Sequence, residues 1–257
     1  MTLSPLLAGA DAYASGDAAS AGRPEALTAD EGAEMFELLA AHFDGVTAGQ
    51  FARDLDEKHW VLRIRRGGRL VGFSTLQVFE AAYQGRLVQV VYSGDTIVAP
   101  EAWGSPILAR AWIALVRQIQ TSAPGAPWYW LLLSSGFRTY RFLPVFWHQF
   151  WPRHDAPTPP AEQGLLGTLA RQRFGDQFDQ AAGVVRFHQP QRLRTTLALV
   201  PDQRVADPHV AFFLSHNPGH AEGDELVCLT DLDDANLTVA GRRMVRGSVP
   251  RAVGTSS

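Results

Sequence analysis

The feature that most constrains this chain is a run of three strand patterns that leads directly into a helix. Residues 60–64 alternate between apolar and polar side chains, and Gly67 and Gly68 give the hairpin signal that joins them to a second strand at 70–80. A third strand, 87–98, is followed by a short loop and an amphipathic helix at 108–120. The N-terminus of such a helix presents unpaired backbone N–H groups, to which an anionic group can bind.

The rest of the chain predicts a mixture of helices and strands. Thr28 and Glu31 form a capping-box pattern ahead of a first helix, and a glycine at Gly94 predicts a bulge in the third strand. The apolar run at 128–133 is typical of a buried parallel strand. An aromatic-rich helix is predicted at 137–150, where Pro144 should kink or divide it.

Composition and charge exclude several classes of function. The formal net charge of the 257 residues is −3, which predicts neither a nucleic-acid partner nor a membrane partner. Cys228 is the single cysteine, so an intramolecular disulfide is excluded. His216, His220 and Cys228 match none of the usual zinc spacings, and no metal site is predicted. The absence of a long apolar segment and of a secretory pattern predicts a cytoplasmic protein.

The order of two strands, a long third strand ending at Val98, then Pro100 and Glu101, a loop and a helix resembles the core of the GNAT superfamily of acyl-CoA-dependent N-acyltransferases. The resemblance covers residues 28–152, about half of the chain. It implies an α/β fold, with a GNAT-like mixed, partly splayed β-sheet, helices on both faces and a C-terminal α/β extension.

Four segments follow from this interpretation. Residues 1–25 are predicted to be a flexible leader, and 26–152 the GNAT-like core. Residues 153–246 are expected to complete the sheet and the acceptor side, and 247–257 to form a disordered tail.

In the GNAT superfamily the loop before this helix holds the pyrophosphate of acyl-CoA. Here Gly104 takes the place of the first glycine of the loop, Pro106 replaces the second and removes an N–H donor, and Trp103 replaces the usual arginine. The resemblance therefore implies a degenerate pyrophosphate loop with fewer phosphate contacts than usual. The residues that it assigns to the pantetheine thioester are Thr96, Ile97, Val98, Trp103, Gly104, Ser105, Ser135 and Arg138.

Two residues are assigned catalytic roles by the same resemblance. Tyr140, on the aromatic-rich helix, would protonate the departing thiolate, although a tyrosine among aromatic residues also suits a core position. Asp95, beside the bulge, would accept a proton from the amine, with Glu80 as the competing base. Asp95 could equally hydrogen-bond its own turn, and both interpretations stay open.

The implied function is transfer of an acyl group from a pantetheine thioester to an amine or similar nucleophile of a small molecule. The donor, used as a co-substrate, is either acyl-CoA or an acyl-carrier-protein thioester, and the weakened loop favours the second. The alternatives are a non-catalytic GNAT-like binding protein and an unrelated α/β protein. An acyl carrier protein partner and a homodimer remain open.

Overall fold

The computed structural model describes residues 16–246, and every structural statement below concerns this part of the chain. Its strands are β1 Asp17–Gly22, β2 Phe43–Asp44, β3 Trp60–Arg66, β4 Arg69–Tyr83, β5 Arg86–Val98, β6 Trp128–Ser134, β7 Phe150–Trp151, β8 Phe178–Asp179, β9 Val184–Val185, β10 Arg192–Leu193 and β11 Glu225–Asp231. Its α-helices are α1 Ala29–His42, α2 Ala48–Asp56, α3 Ile107–Gln120, α4 Phe137–Tyr140, α5 Phe142–Phe146, α6 Pro160–Phe174, α7 Thr195–Ala198, α8 Asp202–Val205, α9 Pro208–His216 and α10 Val239–Arg246.

One mixed sheet organises the described residues, with strand order β1-β3-β4-β5-β6-β11-β9-β8 and β7 beside β11. The pairs β3–β4 and β4–β5 are antiparallel, whereas β5 and β6 run parallel on either side of the crossover through α3. Strand β11 returns antiparallel to β6. The mixed α/β fold class, with one large mixed sheet, is the one that the GNAT resemblance implied, and the GNAT-like fold is confirmed.

Helices cover both faces of the sheet. On one face the apolar side of α3, which includes Trp112, packs in one cluster with Trp130 and Leu132 of β6. On the other face α6 packs with Val90, Leu131 and neighbouring apolar residues of β11, while α1 closes a third cluster. Thr28 begins α1 with the predicted capping box, accepting a bond from the Glu31 backbone N–H. None of the helices in residues 16–246 is both long enough and apolar enough to span a bilayer.

The flexible leader predicted for residues 1–25 is wrong from residue 17 onward. Asp17–Gly22 form β1, which pairs antiparallel with β3 along its whole length. The sequence pattern did not predict this strand, because its alanine, serine and glycine residues have low strand propensity. Tertiary bonds compensate: the Asp17 carboxylate is fully buried and accepts from Arg66 and from the Ser105 hydroxyl. Residues 1–15 and the predicted tail at 247–257 lie outside the described residues.

The aromatic helix predicted at 137–150 is divided into α4 and α5, as Pro144 indicated, but it ends earlier than expected. Because Pro144 has no N–H, the Tyr140 carbonyl lacks its helical partner and the two short helices separate at Arg141. After Phe146 the chain is extended, and β7 pairs with β11. The predicted helix end was therefore wrong by one turn, because pairing with β11 replaces helical bonding there.

Candidate active site

The sheet opens where β5 passes beyond the end of its pairing with β6. The two strands pair in parallel as far as Ser93 and Leu132, and from there β5 continues to Val98 paired with β4 alone. The β4–β5 register also shifts at this point, so that Gly94 and Asp95 face Thr75 in an irregularity. The predicted bulge and the predicted partial splay are both present. We call this opening between β5 and β6 the splay.

An apolar cavity of about 470 Å³ lies on the α3 face of the splay. Its walls come from α3, α4, α5 and the ends of β5 and β6, and residues around α7 cover it. All eight residues assigned to donor binding line this one cavity: Thr96, Ile97, Val98, Trp103, Gly104, Ser105, Ser135 and Arg138. The structure therefore brings the set together, and its role in donor binding stays a prediction.

The loop at the start of α3 uses much of its hydrogen-bonding capacity within the protein. The Ser105 hydroxyl donates to Asp17 over 2.9 Å, and the Trp103 indole N–H donates to the Val98 carbonyl over 2.8 Å. Gly104 has a φ of +97°, a conformation that only glycine adopts without strain. The backbone N–H groups of Trp103 and Ser105 also bond within the loop, to the Pro100 and Ala102 carbonyls. Because Pro106 has no N–H, fewer donors remain for a pyrophosphate.

Arg138 is the cation nearest to this loop among the lining residues, and it is already engaged. Its guanidinium stacks over the Trp103 ring at 4.0 Å from the centroid. It also donates to the Leu197 carbonyl over 2.8 Å. Arg138 and Trp103 thus join the α3 loop to the α7 segment across the mouth of the apolar cavity.

A second, polar cavity of about 300 Å³ lies on the α6 face of the same splay. Its charged lining comes from two helices and two strands, and its uncharged polar lining includes several glutamines. Residues at the splay, including Thr96, Ser135 and Thr139, line both cavities. The two cavities therefore meet at the splay. The charged residues of the polar cavity are Asp54, Glu57, Lys58, Asp95, Arg173 and Glu225.

Asp95 lies at the splay, as predicted, and faces the polar cavity. Burial raises its pKa to about 6, with the nearby Lys58 ammonium opposing the shift and the Asp54 carboxylate adding to it. A carboxylate with this pKa is ionised at neutral pH and is basic enough to accept a proton from an amine as the amine reacts.

Glu225, the first residue of β11, is a further carboxyl group of the polar cavity, and sequence reasoning did not identify it. Burial raises its pKa to about 8, and the charge of Asp95 contributes to the shift. At neutral pH Glu225 therefore holds a proton beside an ionised Asp95. The sequence gives little sign of this role, because Glu225 only precedes an apolar strand.

Lys58 is another charged residue of the polar cavity, and the sequence pattern did not assign it to the site. Its ammonium donates to the Asp54 carbonyl over 2.8 Å and lies 5.9 Å from the Tyr92 ring centroid. Its side chain passes so close to Gly94 that a Cβ there would lie 2.5 Å from Cε. A larger residue at this bulge would therefore displace the end of the Lys58 side chain. Burial lowers the pKa of Lys58.

Tyr140 is not placed for the general-acid role. Its side chain is fully buried, its ring packs against Phe150 and Phe213, and its hydroxyl donates to the Pro152 carbonyl over 2.9 Å. It lines neither cavity, and burial raises its pKa. This placement does not support the general-acid role predicted for Tyr140, because the aromatic cluster around α4 holds the ring in the core.

The competing base, Glu80, is also away from the splay. It is exposed on β4, accepts a bond from Gln89 over 2.8 Å and lines neither cavity.

Residues 16–246 contain no group of three or more histidine, cysteine or acidic side chains arranged to hold a metal ion. Asp95 therefore remains the catalytic candidate, now with Glu225 and Lys58 beside it.

Neither a protein-family model nor a curated protein matches this chain. Among solved structures, it is similar to a conserved protein from Enterococcus faecalis described as a probable N-acyltransferase, with 15% identity and a TM-score of 0.40 over 52% of this chain and 33% of that one. A GCN5-related N-acetyltransferase from Kribbella flavida gives 17% identity and a TM-score of 0.39 over 52% and 34% of the two chains.

A GNAT family N-acetyltransferase from Escherichia coli in complex with CoA gives 13% identity and a TM-score of 0.36 over 51% of this chain and 68% of that one. The chain thus spans about a third of the length of the first two structures. The GNAT-like features of this chain are its mixed sheet, with the parallel pair β5–β6, and the splay between these two strands.

Proposed function

We propose that this protein is an acyltransferase that moves an acyl group from a pantetheine thioester to the amine of a small molecule. The observation that carries the proposal is the meeting of two cavities of opposite chemistry at the splay. The apolar cavity would receive the donor, and the polar cavity would receive the acceptor. Holding both substrates at one opening would supply much of the rate, because it replaces an encounter by a fixed geometry.

In the proposed reaction the amine nitrogen attacks the thioester carbon at the splay. A C–N bond forms, the C–S bond breaks, and the proton lost by the amine passes to Asp95, directly or through water. The thiolate must gain a proton as it leaves, and Glu225, protonated at neutral pH, is a group of the polar cavity that could supply one. The N-acylated product and the free thiol then separate into their respective cavities.

The α3 loop favours a donor that depends little on its phosphates. Its hydroxyl and indole donors, and Arg138, already have partners in the protein. An acyl-carrier-protein thioester, which presents the pantetheine arm without adenine or pyrophosphate, therefore suits this site, and acyl-CoA is the alternative donor. The same loop is the observation that favours a second candidate, a GNAT-like binding protein without chemistry.

Release of free thiol from acyl-CoA or acyl-pantetheine, measured with a panel of primary amines, tests the proposal. Thiol and N-acyl product should appear together and only when an amine is present. Thr139→Phe should block the splay, because Thr139 lines both cavities and is half-buried, whereas Thr139→Ser is the matched control and should stay active. Absence of amine-dependent thiol release with every donor would reject the acyltransferase assignment, and full activity of Thr139→Phe would reject the splay as the place of reaction.

A further inference from the structure

The polar cavity contains three carboxyl groups that have no close partner within the described part of the chain. Asp54 of α2, Asp95 of β5 and Glu225 of β11 all line this cavity. In residues 16–246 none of the three carboxyl groups accepts a hydrogen bond or forms a close ion pair. Burial is the largest cause of the raised pKa of Asp95 and of Glu225, and like charge adds to it: Asp54 acts on Asp95, and Asp95 acts on Glu225. A cation in the cavity would relieve this repulsion.

The two cations of this cavity leave negative charge unbalanced. Arg173 is ion-paired with Glu57 over 2.6 Å. Lys58, which is 7% exposed, donates to the backbone carbonyl of Asp54 over 2.8 Å, and among the described residues no carboxylate lies close enough to pair with it. The Lys58 ammonium offsets one of the two charges that Asp54 and Asp95 carry at neutral pH. One negative charge then remains while the third carboxyl group holds its proton.

The reacting nitrogen of the acceptor cannot supply the missing positive charge. In the proposed reaction Asp95 takes up the proton that the amine loses, so Asp95 is ionised and the amine is neutral when the C–N bond begins to form. The charge of the cavity is therefore still unbalanced in the reacting complex. A second, non-reacting cation on the same acceptor would balance it.

Asp54 is the carboxylate left for that second cation, because the proposed reaction engages Asp95 and Glu225 in proton transfer. Gln50 lies one turn earlier on the same face of α2 and also lines the cavity, and its side-chain oxygen is buried without a partner. An ammonium has three N–H donors, so it can donate to both side chains. The cavity of about 300 Å³ has room for about ten heavy atoms at about 30 Å³ each, which exceeds the six of a four-carbon diamine.

We propose that the acceptor is a diamine, whose reacting nitrogen lies beside Asp95 at the splay and whose second ammonium is held by Asp54 and Gln50. The inference rests on the proposed acyl transfer and names the class of amine that it uses. One nitrogen forms the C–N bond, and the other keeps its proton throughout and anchors the molecule. An amino acid of similar length would instead bring a carboxylate next to Asp54, which like charge disfavours.

Calorimetric titration of the full chain, with and without CoA, tests this inference with three compounds that share one unbranched four-carbon chain. Butanediamine carries an ammonium at each end, butylamine carries one, and aminobutanoic acid carries an ammonium and a carboxylate. The diamine should bind roughly tenfold more tightly than butylamine, the value for a hydrogen bond to a charged group. Aminobutanoic acid should bind no more tightly than butylamine.

A pair of acidic residues on α2 locates the anchor. Asp54→Asn should weaken diamine binding about tenfold, to the level of butylamine, whose own Kd should change by less than about twofold. Asp56→Asn is the matched control, because Asp56 is an exposed carboxylate of the same helix that does not line the cavity. It should change neither affinity. Gln50→Glu should tighten diamine binding severalfold, since it adds a carboxylate beside the anchor.

The outcomes separate this inference from the proposed function. Equal binding of butanediamine and butylamine, tightest binding of aminobutanoic acid, or an undiminished preference for the diamine in Asp54→Asn would overturn the inference, as would a Gln50→Glu variant that binds the diamine no more tightly. Amine-dependent thiol release alongside any of these results would leave acyl transfer standing. Tight diamine binding without thiol release from any donor would overturn the proposed function, and with it the role of the diamine as acceptor.

Discussion

The two cavities lie on opposite faces of one sheet, and they differ in what their polar groups do. At the entrance of the apolar cavity, Ser105, Trp103 and Arg138 each have a partner within the protein. In the polar cavity, Asp95 and Glu225 are half-buried, and desolvation raises the pKa values of both carboxyl groups. The α3 loop resembles a phosphate-binding loop in sequence, but its side-chain donors bond to other parts of the protein. The groups proposed to transfer protons, Asp95 and Glu225, lie in the polar cavity on the other face of the sheet.

The largest expected effect comes from removing the base on the polar side. Asp95→Asn should lower kcat by about 10²–10⁴, because the amide accepts no proton from the amine, while the Kd of the donor in the apolar cavity changes by less than about twofold. Steady-state thiol release and calorimetric donor binding measure the two quantities. Glu80→Gln, at an exposed carboxylate of the neighbouring strand, is the control and should match the wild type.

A parallel loss of donor affinity in Asp95→Asn would break the comparison, since the two cavities would then act as one site. An unchanged kcat would assign the base to another group of the polar cavity.

A smaller effect is expected from the lysine that faces Asp95. Lys58 lowers the pKa of Asp95, while Asp54 raises it, and Arg173, Glu57, Glu225 and Tyr92 line the same cavity. Activity should rise with pH through about 6 in the wild type, as Asp95 ionises. In Lys58→Met the pKa of Asp95 should rise, so the rising limb moves to higher pH and activity at pH 6 falls severalfold.

The pH dependence of kcat/KM for both proteins measures this shift. Arg173→Met is a useful comparison, because it removes a cation of the same cavity that is ion-paired with Glu57. A rising limb at the same pH in the wild type and in Lys58→Met would show that Asp95 is not the titrating base.

Sequence patterns predicted the part of the fold in which each element carries its own signal. The capping box at Thr28, the hairpin glycines before β4, the bulge at Gly94 and the break at Pro144 are local features with local causes. The same patterns missed β1, whose Asp17 is stabilised by distant partners, Arg66 and Ser105. Pairing of that kind leaves no periodicity to detect.

The candidate site was predictable on its donor side and less so on its acceptor side. Residues of the α3 loop and of β5 are close in sequence, so the resemblance could assign them as a group. Glu225 and Lys58 are far apart in sequence. They line one cavity with Asp95 only because β11 begins at Glu225 and α2 ends just before Lys58. The position of Tyr140 was not predictable, because the sequence does not show that its hydroxyl donates to the Pro152 carbonyl.

The smallest effect on catalysis is expected at Tyr140. Tyr140→Phe should leave kcat unchanged, because the residue lines neither cavity. It should lower the free energy of unfolding by about 1–2 kcal/mol, since a buried carbonyl loses its donor. Tyr83→Phe removes a similar bond, to the Ala161 carbonyl, from a half-exposed tyrosine and should cost less. A kcat reduced a hundredfold in Tyr140→Phe would restore the general-acid role.

Lys58 is the single lysine of the 257 residues, and it lies in the polar cavity. An amine-reactive label therefore finds one side-chain amine in these residues, and that amine is buried in the polar cavity. Peptide mass mapping after brief labelling would report occupancy of this cavity without any assay of turnover. A compound that fills the cavity should protect one identifiable peptide, so candidate acceptors can be ranked before the reaction itself is known.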